Sequence, residues 1–207
     1  MKQSKTSKKF VYLISPNKIE DESFYANLAL VLSTKKISFF QLRLKKETSL
    51  NKLMIGKKIK KICKKYKVKF LINDDPLLAK KLNADGCHLG QKDMDLIKAR
   101  KILKDKIIGV TCHNSINLAK IAIKAGADYL AFGAFFTSKT KIIKYRASLR
   151  ILNSVKKITL LPIVAIGGIK LNNYKKLLLN KANFLAISGY IWNNKKYKPL
   201  EAIKKLK

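Results

Sequence analysis

The stretch that decides the fold is I-I-G-V-T-C-H-N-S-I-N-L-A-K-I-A-I-K-A-G-A-D-Y-L-A-F, residues 107–132. It opens on a short run rich in β-branched residues and closes on a second short apolar run. Between the two runs, Ser115 can cap a helix over residues 116–125, and the glycine that follows ends it. A strand, a helix and a second strand in this order form a βαβ unit, so the sequence predicts two parallel strands side by side.

The same alternation of short apolar runs and longer segments of helical period repeats along the chain. We predict eight strands, over residues 10–15, 39–44, 69–72, 86–89, 107–111, 129–132, 162–166 and 184–187. Eight strands alternating with eight helices predict an α/β fold, a single (β/α)8 TIM-type barrel domain over residues 10–207. Residues 1–9 are predicted to be a flexible basic tail. An open doubly wound sheet has the same periodicity and stays an alternative.

Several helices are marked by their ends. Residues 49–66 carry an apolar stripe on one face and a run of lysines on the other, which is typical of a solvated helix surface. Pro76 suits a first helical position, and Ser148 falls early in a helix that runs to about residue 157. Asn172 can cap a helix over residues 173–181, and a last helix covers residues 199–206.

The charge is extreme, with 46 basic residues against 12 acidic ones and a net charge of +34. This balance would suit a polyanionic partner. However, only four of the basic residues are arginines, and the lysines are spread along the whole chain rather than gathered into one patch. We therefore favour compositional drift over a nucleic-acid role, and we expect the charge at most to steer anionic substrates.

Neither a membrane span nor a disulfide framework is expected. No apolar run reaches the ~18 residues that cross a bilayer. The three cysteines are isolated from one another, and an odd number without close spacing argues against disulfides or a zinc site. We expect a protein of a reducing compartment, the cytoplasm.

Polar residues and glycines cluster at the C-terminal ends of the predicted strands. In a parallel barrel these ends surround one mouth, where active sites lie. Gln41, Arg43 and Lys45 alternate at the end of the second strand, so their side chains are predicted to share a face. The other residues at strand ends are Asn73, Asp74, His88, Asp93, Thr111, His113, Gly167, Gly168, Ser188 and Gly189.

Each of these signals also has a purely structural interpretation. Asp74 and Asp93 could cap the helices that follow them, but two carboxylates near phosphate-binding cations also suit a Mg²⁺ site. Gly167 and Gly168 could form a simple turn, but free N–H groups after the last two strands of a barrel commonly hold a phosphate. For His88 and His113 a core position and a functional position are equally open.

Seven segments together resemble thiamine-phosphate synthase. They are Q-L-R-L-K (41–45), N-D-D (73–75), A-D-G-C-H-L-G-Q-K-D (84–93), G-V-T-C-H (109–113), G-A-D-Y (126–129), S-K-T-K (138–141) and P-I-V-A-I-G-G-I (162–169). The block at 84–93 is the most specific. The resemblance implies a barrel enzyme, a transferase that joins hydroxymethylpyrimidine diphosphate to a thiazole phosphate and releases pyrophosphate. Negative charge then builds on the departing pyrophosphate, so Mg²⁺ and fixed cations are expected to supply most of the catalysis.

The resemblance also implies a role for each matching residue. The Mg²⁺ ligands would be Asp74 and Asp93. The groups that bind and stabilise the departing diphosphate would be Arg43, Lys45, Asn73 and Lys141. The pyrimidine contacts would be Gln41 and Thr111. The thiazole phosphate would be held by Ser138, Thr140 and the backbone N–H groups of Gly168, Ser188 and Gly189.

Four positions depart from the family's pattern. Ala134 replaces a proline after the sixth strand, Ser138 stands where the family has threonine, Thr111 stands for a serine, and Phe184 replaces a small residue at the last strand. A thiazole tautomerase of the same barrel family is a rival interpretation, although retention of the charged set disfavours it. A non-enzymatic nucleic-acid-binding protein is a rival from another class.

Overall fold

The computed structural model of the chain describes residues 9–137 and 145–207. In these ranges eight parallel strands pair in chain order, and the last pairs with the first, so the sheet closes into a barrel. The strands are β1 (Val11–Ile14), β2 (Ile37–Leu42), β3 (Lys69–Asn73), β4 (Gly86–Leu89), β5 (Ile107–His113), β6 (Tyr129–Phe132), β7 (Ile163–Ile166) and β8 (Phe184–Ile187). Leu13 of β1 lies opposite Ile187 of β8. This pairing excludes the open sheet and confirms the predicted barrel.

The helices of the described residues lie between and after the strands. They are α1 (Ser23–Ser33), α2 (Ser49–Lys65), α3 (Pro76–Lys81), α4 (Leu96–Leu103), α5 (Ile116–Lys124), α6 (Leu149–Lys156), α7 (Tyr174–Leu179), α8 (Gly189–Trp192) and α9 (Pro199–Lys205). Ser115 caps α5 as predicted, accepting a hydrogen bond from the Leu118 N–H at 3.2 Å. The prediction of eight helices was wrong, since both α8 and α9 follow β8.

Two predicted boundaries are corrected by side-chain hydrogen bonds. Strand β2 ends at Leu42 rather than at residue 44, because the N–H of Arg43 donates to Ser15 Oγ at 2.9 Å and leaves the strand ladder. Helix α7 begins at Tyr174, so Asn172 does not cap it. Asn173 occupies the cap position instead, but its side chain binds Lys170 and Gly168.

Two apolar layers hold the barrel together. The larger lies between the helices and the outer face of the strands, and the smaller fills the barrel interior. Alternate residues of each strand supply the two layers, as the period of two in a strand requires. The interior layer includes two tyrosines, Tyr12 and Tyr129, whose side chains are almost fully buried. A buried phenol needs a hydrogen-bond partner, so the barrel interior must contain further polar groups.

A repeated contact closes the N-terminal end of the barrel, opposite the mouth. Before β4, β6 and β8 stand Asp85, Asp128 and Asn183, and each binds one residue of the preceding strand twice. The side-chain oxygen of each accepts from a backbone N–H, at 2.8, 2.7 and 2.8 Å respectively, and its own N–H donates to the carbonyl of that same residue. The residues so bound are Phe70, Ile108 and Ile163. We call this contact the two-point clamp.

The clamp predicts a specific effect on stability. Asn183→Ala should lower the free energy of unfolding by about 1–3 kcal/mol, because the Ile163 N–H at the base of the sheet loses its acceptor. Asn183→Asp should retain wild-type stability, since aspartate makes the same contact at the two equivalent positions. Urea unfolding of the three proteins measures the difference. Equal losses in both variants would contradict the clamp.

Candidate active site

The predicted site residues of the described ranges gather at one end of the barrel. All strands are parallel, so their C-terminal ends surround a single mouth. Around it lie Gln41, Arg43, Lys45, Asn73, Asp74, Asp93, Thr111, Gly168, Ser188 and Gly189, each in the last part of a strand or just beyond one. Ser138, Thr140 and Lys141 lie outside the described residues, as does the predicted tail up to residue 8.

Asp74 and Asp93 come from different βα loops, and their carboxyl groups hydrogen-bond to each other. Burial raises the pKa of Asp93, and the neighbouring Asp74 raises it further. Burial also acts to raise the pKa of Asp74, but hydrogen bonds from Lys45 and Asp93 outweigh it and lower that pKa. Two carboxyl groups this close favour holding one proton between them. A cation would neutralise the same pair, so the donor set fits a hard divalent metal ion.

The capping interpretation of these two aspartates is wrong. Helix α3 is capped by Asp75, whose side chain accepts from the Leu78 N–H at 2.9 Å. Helix α4 is capped by Asp95, which accepts from the Ile97 N–H at 2.9 Å. A separate aspartate therefore serves each helix. Neither member of the acidic pair, Asp74 and Asp93, is thus used as a helix cap, although Asp93 Oδ2 accepts from the Gly90 N–H at 2.6 Å.

Lys45 lies beside the acidic pair. Its Nζ is 2.8 Å from Asp74 Oδ2 in a partly exposed ion pair. Lys45, Asn73 and Asp74 line a cavity of about 260 Å³ at the ends of β2 and β3. Lys52 of α2 lines the same cavity, and the sequence did not single it out because it falls within the lysine-rich helix face. The cavity is thus lined by two ammonium groups, those of Lys45 and Lys52, and by the carboxylates of Asp74 and its neighbour Asp75.

Arg43 does not contact the acidic pair. Strand β2 ends at Leu42, so Gln41 lies in the strand and Arg43 and Lys45 lie beyond it. The strand alternation that was predicted to put their three side chains on one face therefore does not extend to Arg43 and Lys45. The Arg43 guanidinium donates to Asn17 Oδ1 at 3.1 Å, and its backbone N–H is held by Ser15. Asn17 belongs to the loop after β1, which carried no recognised motif. The guanidinium is therefore oriented by a loop that the sequence did not connect with the site.

A chain of hydrogen bonds runs through the barrel interior between two predicted site residues. Gln41 Nε2 donates to Tyr12 Oη, Tyr12 Oη bonds to Tyr129 Oη, and Tyr129 Oη bonds to His88 Nδ1, each at 2.8 Å. His88 Nε2 then bonds to Thr111 Oγ1, again at 2.8 Å. We call these five side chains the interior relay. His88 is thus a hydrogen-bonded interior residue, and the two tyrosines were missed because they fall in apolar strand patterns.

Burial keeps the relay uncharged. It raises the pKa of Tyr12 and of Tyr129 well above the ordinary value of a phenol. It also lowers the pKa of His88 to about 4, and the nearby Arg43 acts in the same direction while Asp74 opposes both. The phenols are therefore protonated and the imidazole is neutral near neutral pH.

Two glycine turns face the mouth after β7 and β8. Gly167 (φ +105°) and Gly168 (φ +61°) adopt backbone angles that favour glycine, and a Cβ on Gly168 would lie 2.2 Å from the carbonyl oxygen of Thr137. Asn173 braces this turn, donating to the Gly168 carbonyl at 3.0 Å. Ser188 Oγ donates to the carbonyl of Ser15 at 3.0 Å. The backbone N–H groups of Gly168, Ser188 and Gly189 donate to no other described residue.

The structure shows where two of the four residues that depart from the family pattern, Phe184 and Ala134, lie relative to the mouth. Phe184 begins β8 at the end of the barrel opposite the mouth, where its ring packs edge-on against Phe39 at 5.1 Å between centroids. Ala134 lies against Gly167, and its backbone exchanges hydrogen bonds with Tyr145 and Ala147. Phe184 therefore does not enter the mouth, whereas Ala134 lies beside the first glycine turn.

The described residues offer few candidates for other kinds of site. The described residues contain no group of three or more His, Cys, Asp or Glu side chains that could hold a metal ion by themselves. Any metal at the acidic pair would therefore take its remaining ligands from water or a bound substrate. None of the helices in the described ranges is long and apolar enough to cross a membrane.

Comparison with known proteins points to one family. The family model described as thiamine monophosphate synthase matches residues 11–191. A thiamine-phosphate synthase of Pelagibacter ubique (strain HTCC1062) is 86% identical over 207 residues, 100% of both chains. That of Nitrosomonas eutropha is 40% identical over 184 residues, 88% of this chain and 86% of the relative. A solved structure, thiamine phosphate pyrophosphorylase from Pyrococcus furiosus, superimposes with a TM-score of 0.82 at 27% identity, covering 96% of this chain and 94% of the other.

The low pKa of His88 predicts a pH-dependent stability. In the unfolded chain a histidine takes up its proton near pH 6.5. His88 in the folded protein does so only near pH 4. The unfolded state therefore binds the extra proton between these values, and the stabilisation present above pH 6.5 is lost as the pH falls towards 4. The loss should be on the order of 3 kcal/mol.

His88→Gln removes this titrating group while retaining a side chain that can hydrogen-bond. Urea unfolding measured at intervals from pH 7.5 to 4 should therefore show a steeper decline for wild type than for the variant. Superimposable pH profiles of the two proteins would show that His88 does not have the depressed pKa.

Proposed function

The chain belongs to the thiamine monophosphate synthase family, and we propose that it performs the condensation at this barrel mouth as a magnesium-assisted dissociative substitution. The reaction joins hydroxymethylpyrimidine diphosphate to a thiazole phosphate and gives thiamine phosphate and pyrophosphate. The bond between the pyrimidine methylene carbon and the diphosphate oxygen breaks, and the electron pair leaves with pyrophosphate. The thiazole nitrogen then forms the new C–N bond to that carbon.

The observation that carries the proposal is the acidic pair with Lys45 beside a cavity at the mouth. In a protein of net charge +34, two carboxyl groups in contact are a marked local exception. Repulsion between them is relieved by a proton or by a cation. Mg²⁺ takes one or two carboxylates together with substrate phosphate oxygens, and when bound it would neutralise charge on the departing pyrophosphate. Asp74 and Asp93 would hold it.

The cations around the cavity suit the rest of the diphosphate. Lys45 can move from Asp74 to a phosphate oxygen when a metal ion neutralises the aspartate. Asn17 holds Arg43 at the same mouth, where its guanidinium can bind two phosphate oxygens at once. Asn73 lines the cavity, and Lys141 remains a predicted ligand from the resemblance alone. Fixed donors of this kind stabilise charge that develops on a leaving group, and no side-chain nucleophile is needed.

The two organic halves are assigned to the remaining parts of the mouth. Gln41 and Thr111, at the two ends of the interior relay, would contact the pyrimidine. The N–H groups of Gly168, Ser188 and Gly189 would hold the thiazole phosphate, in the manner of free amides at glycine turns. Ser138 and Thr140 remain predicted ligands of that phosphate. Small phosphorylated molecules of the cytoplasm are thus the proposed partners, with no role for nucleic acid.

The acidic pair also separates this function from its rivals. A thiazole tautomerase binds no diphosphate and has no use for two contacting carboxyl groups beside Lys45. A nucleic-acid-binding protein would gain nothing from two contacting acidic groups at the barrel mouth. Neither alternative function accounts for the acidic pair beside Lys45.

The direct test mixes the purified protein with hydroxymethylpyrimidine diphosphate, thiazole phosphate and MgCl₂. Thiamine phosphate and pyrophosphate should appear in equal amounts, and chelation of the metal by EDTA should stop both. Formation of both products at an undiminished rate in EDTA would refute the role of magnesium. Absence of both products under all metal conditions would refute the condensation.

Matched substitutions test the metal ligands. Asp74→Asn and Asp93→Asn should each lower kcat/KM for the diphosphate substrate by about 100-fold or more, because each removes a carboxylate from the acidic pair. Asp95→Asn changes the same charge two residues from Asp93 at a helix cap, where asparagine caps equally well. This control should stay within a few-fold of wild type. Equal losses in the pair and in the control would contradict the assignment.

A further inference from the structure

Lys52 departs from the pattern of the other lysines in helix α2. The residues that this helix buries are Gly56, Ile59 and Cys63. Their spacing of three and four residues keeps them on one face of the helix, and one turn further back the same face reaches position 52. The inward face of α2 therefore carries a lysine at the end that adjoins the barrel mouth. The interpretation of the α2 lysines as a solvated surface does not apply to Lys52.

The first turns of α2 have an inverted polarity. Leu50 and Met54 are 65% and 57% exposed, whereas Lys52 between them is partly buried and lines the cavity. Withdrawing an ammonium group from water costs free energy unless an anion lies beside it. A cation near the N-terminus of a helix also opposes the helix dipole. Thr48 caps α2 by accepting from the Asn51 N–H at 3.2 Å, so the start of the helix does not depend on the Lys52 side chain.

The two lysines of the cavity differ in their partners. Lys45 is held by Asp74 in an ion pair of 2.8 Å. Lys52 takes part in none of the ion pairs formed within residues 9–137 and 145–207. Asp75 lines the same cavity, but its carboxylate caps α3 by accepting from the Leu78 N–H. Lys52 is thus a cation at a cavity wall without a carboxylate partner in the described part of the chain.

We propose that Lys52 is a binding residue for the diphosphate group, a contact that neither the motifs nor the resemblance assigns. The inference rests on the proposed function, which brings a diphosphate to Asp74 at this cavity. The ammonium group would donate to a diphosphate oxygen from the side of α2. Charge-assisted hydrogen bonds of this kind are stronger than neutral ones. Negative charge grows on the diphosphate as its bond to the methylene carbon breaks, so the contact stabilises the leaving group more than the substrate.

The charges at the mouth favour this assignment. A divalent cation and the acidic pair neutralise each other, so side-chain cations must balance the charge of the diphosphate. Lys45 and Arg43 both come from the segment that follows β2. Lys52 comes from α2 and lines the cavity together with Lys45. It adds a cation on a regular helix, whose position does not depend on the loop.

The first experiment measures binding without catalysis. Inorganic pyrophosphate with MgCl₂ is titrated into wild type, Lys52→Met and Lys52→Arg in a calorimeter. Lys52→Met should weaken the affinity for pyrophosphate about 10- to 100-fold, because one charge-assisted contact is lost. Lys52→Arg should stay within a few-fold of wild type, since a guanidinium also binds phosphate oxygens. Wild-type affinity in Lys52→Met would overturn the proposal.

Lys57→Met is the matched control. It removes the same charge from the same helix, but Lys57 is exposed and does not line the cavity. Its affinity for pyrophosphate should stay within a few-fold of wild type. Equal weakening in Lys52→Met and Lys57→Met would show that only the overall positive charge attracts the anion, and would overturn the assignment.

The second experiment separates binding from a structural role. In Lys52→Met, kcat/KM for hydroxymethylpyrimidine diphosphate should fall about 10- to 100-fold, while the KM for thiazole phosphate and the midpoint of urea unfolding stay at the wild-type values. A lysine that only supports the fold would change all three quantities, and that result would overturn the proposal.

The two experiments also distinguish this inference from the proposed function. If wild type binds pyrophosphate through Lys52 but forms no thiamine phosphate, the condensation fails and the assignment of Lys52 stands. If wild type forms thiamine phosphate and Lys52→Met matches it in both experiments, the assignment fails and the proposed function stands.

Discussion

The pairing of β1 with β8 is the constraint on which the rest of the molecule depends. It turns a row of strands into a ring, and only in a ring does Ser15 meet both Arg43 of β2's exit loop and Ser188 after β8. The contact between Ser15 and Ser188 joins residues 173 positions apart in the chain. Tyr12 and Tyr129, 117 positions apart, touch across the interior for the same reason. The site is thus a product of closure, since few of its contacts are local.

The charge at the mouth depends on where individual charged residues lie rather than on the overall composition of the chain. The surface of the protein is covered with lysines, and isolated exposed charges of this kind contribute little to stability. The acidic pair differs because burial and the neighbouring Asp74 raise the pKa of Asp93, whereas hydrogen bonds from Lys45 and Asp93 outweigh burial and lower the pKa of Asp74. Two carboxylates and a lysine at one mouth therefore form a place where a cation and an anion can bind together. A wholly basic mouth would hold the anion but would not orient a metal ion on it.

Much of the fold could be predicted from local pattern. The bounds of β4, β6 and β8 match the sequence prediction, and Ser115 caps the helix expected of it, because periodicity and capping act over a few residues. The strand ends also placed the candidate residues at one mouth. What could not be predicted depends on contacts between distant segments. Tyr12 and Tyr129 look like ordinary core residues until the ring closes, Arg43 leaves β2 only because Ser15 takes its N–H, and the choice of Asp95 over Asp93 as a cap follows from loop geometry.

The two-point clamps join six of the eight strands of the barrel in consecutive pairs. They tie β3 to β4, β5 to β6 and β7 to β8 across only 15, 20 and 20 residues. At this end β1 is joined to the start of β2 by the Val11 N–H, which donates to the Lys36 carbonyl at 3.4 Å. Contacts over such short separations form early, because little chain entropy is lost in closing them. We therefore expect the strand pairs to form first during folding and then to pack against one another. The pairing of β1 with β8 would form last. Since the candidate site residues lie at the opposite end of the barrel from these clamps, substitutions at the mouth can occur without disturbing how the chain folds.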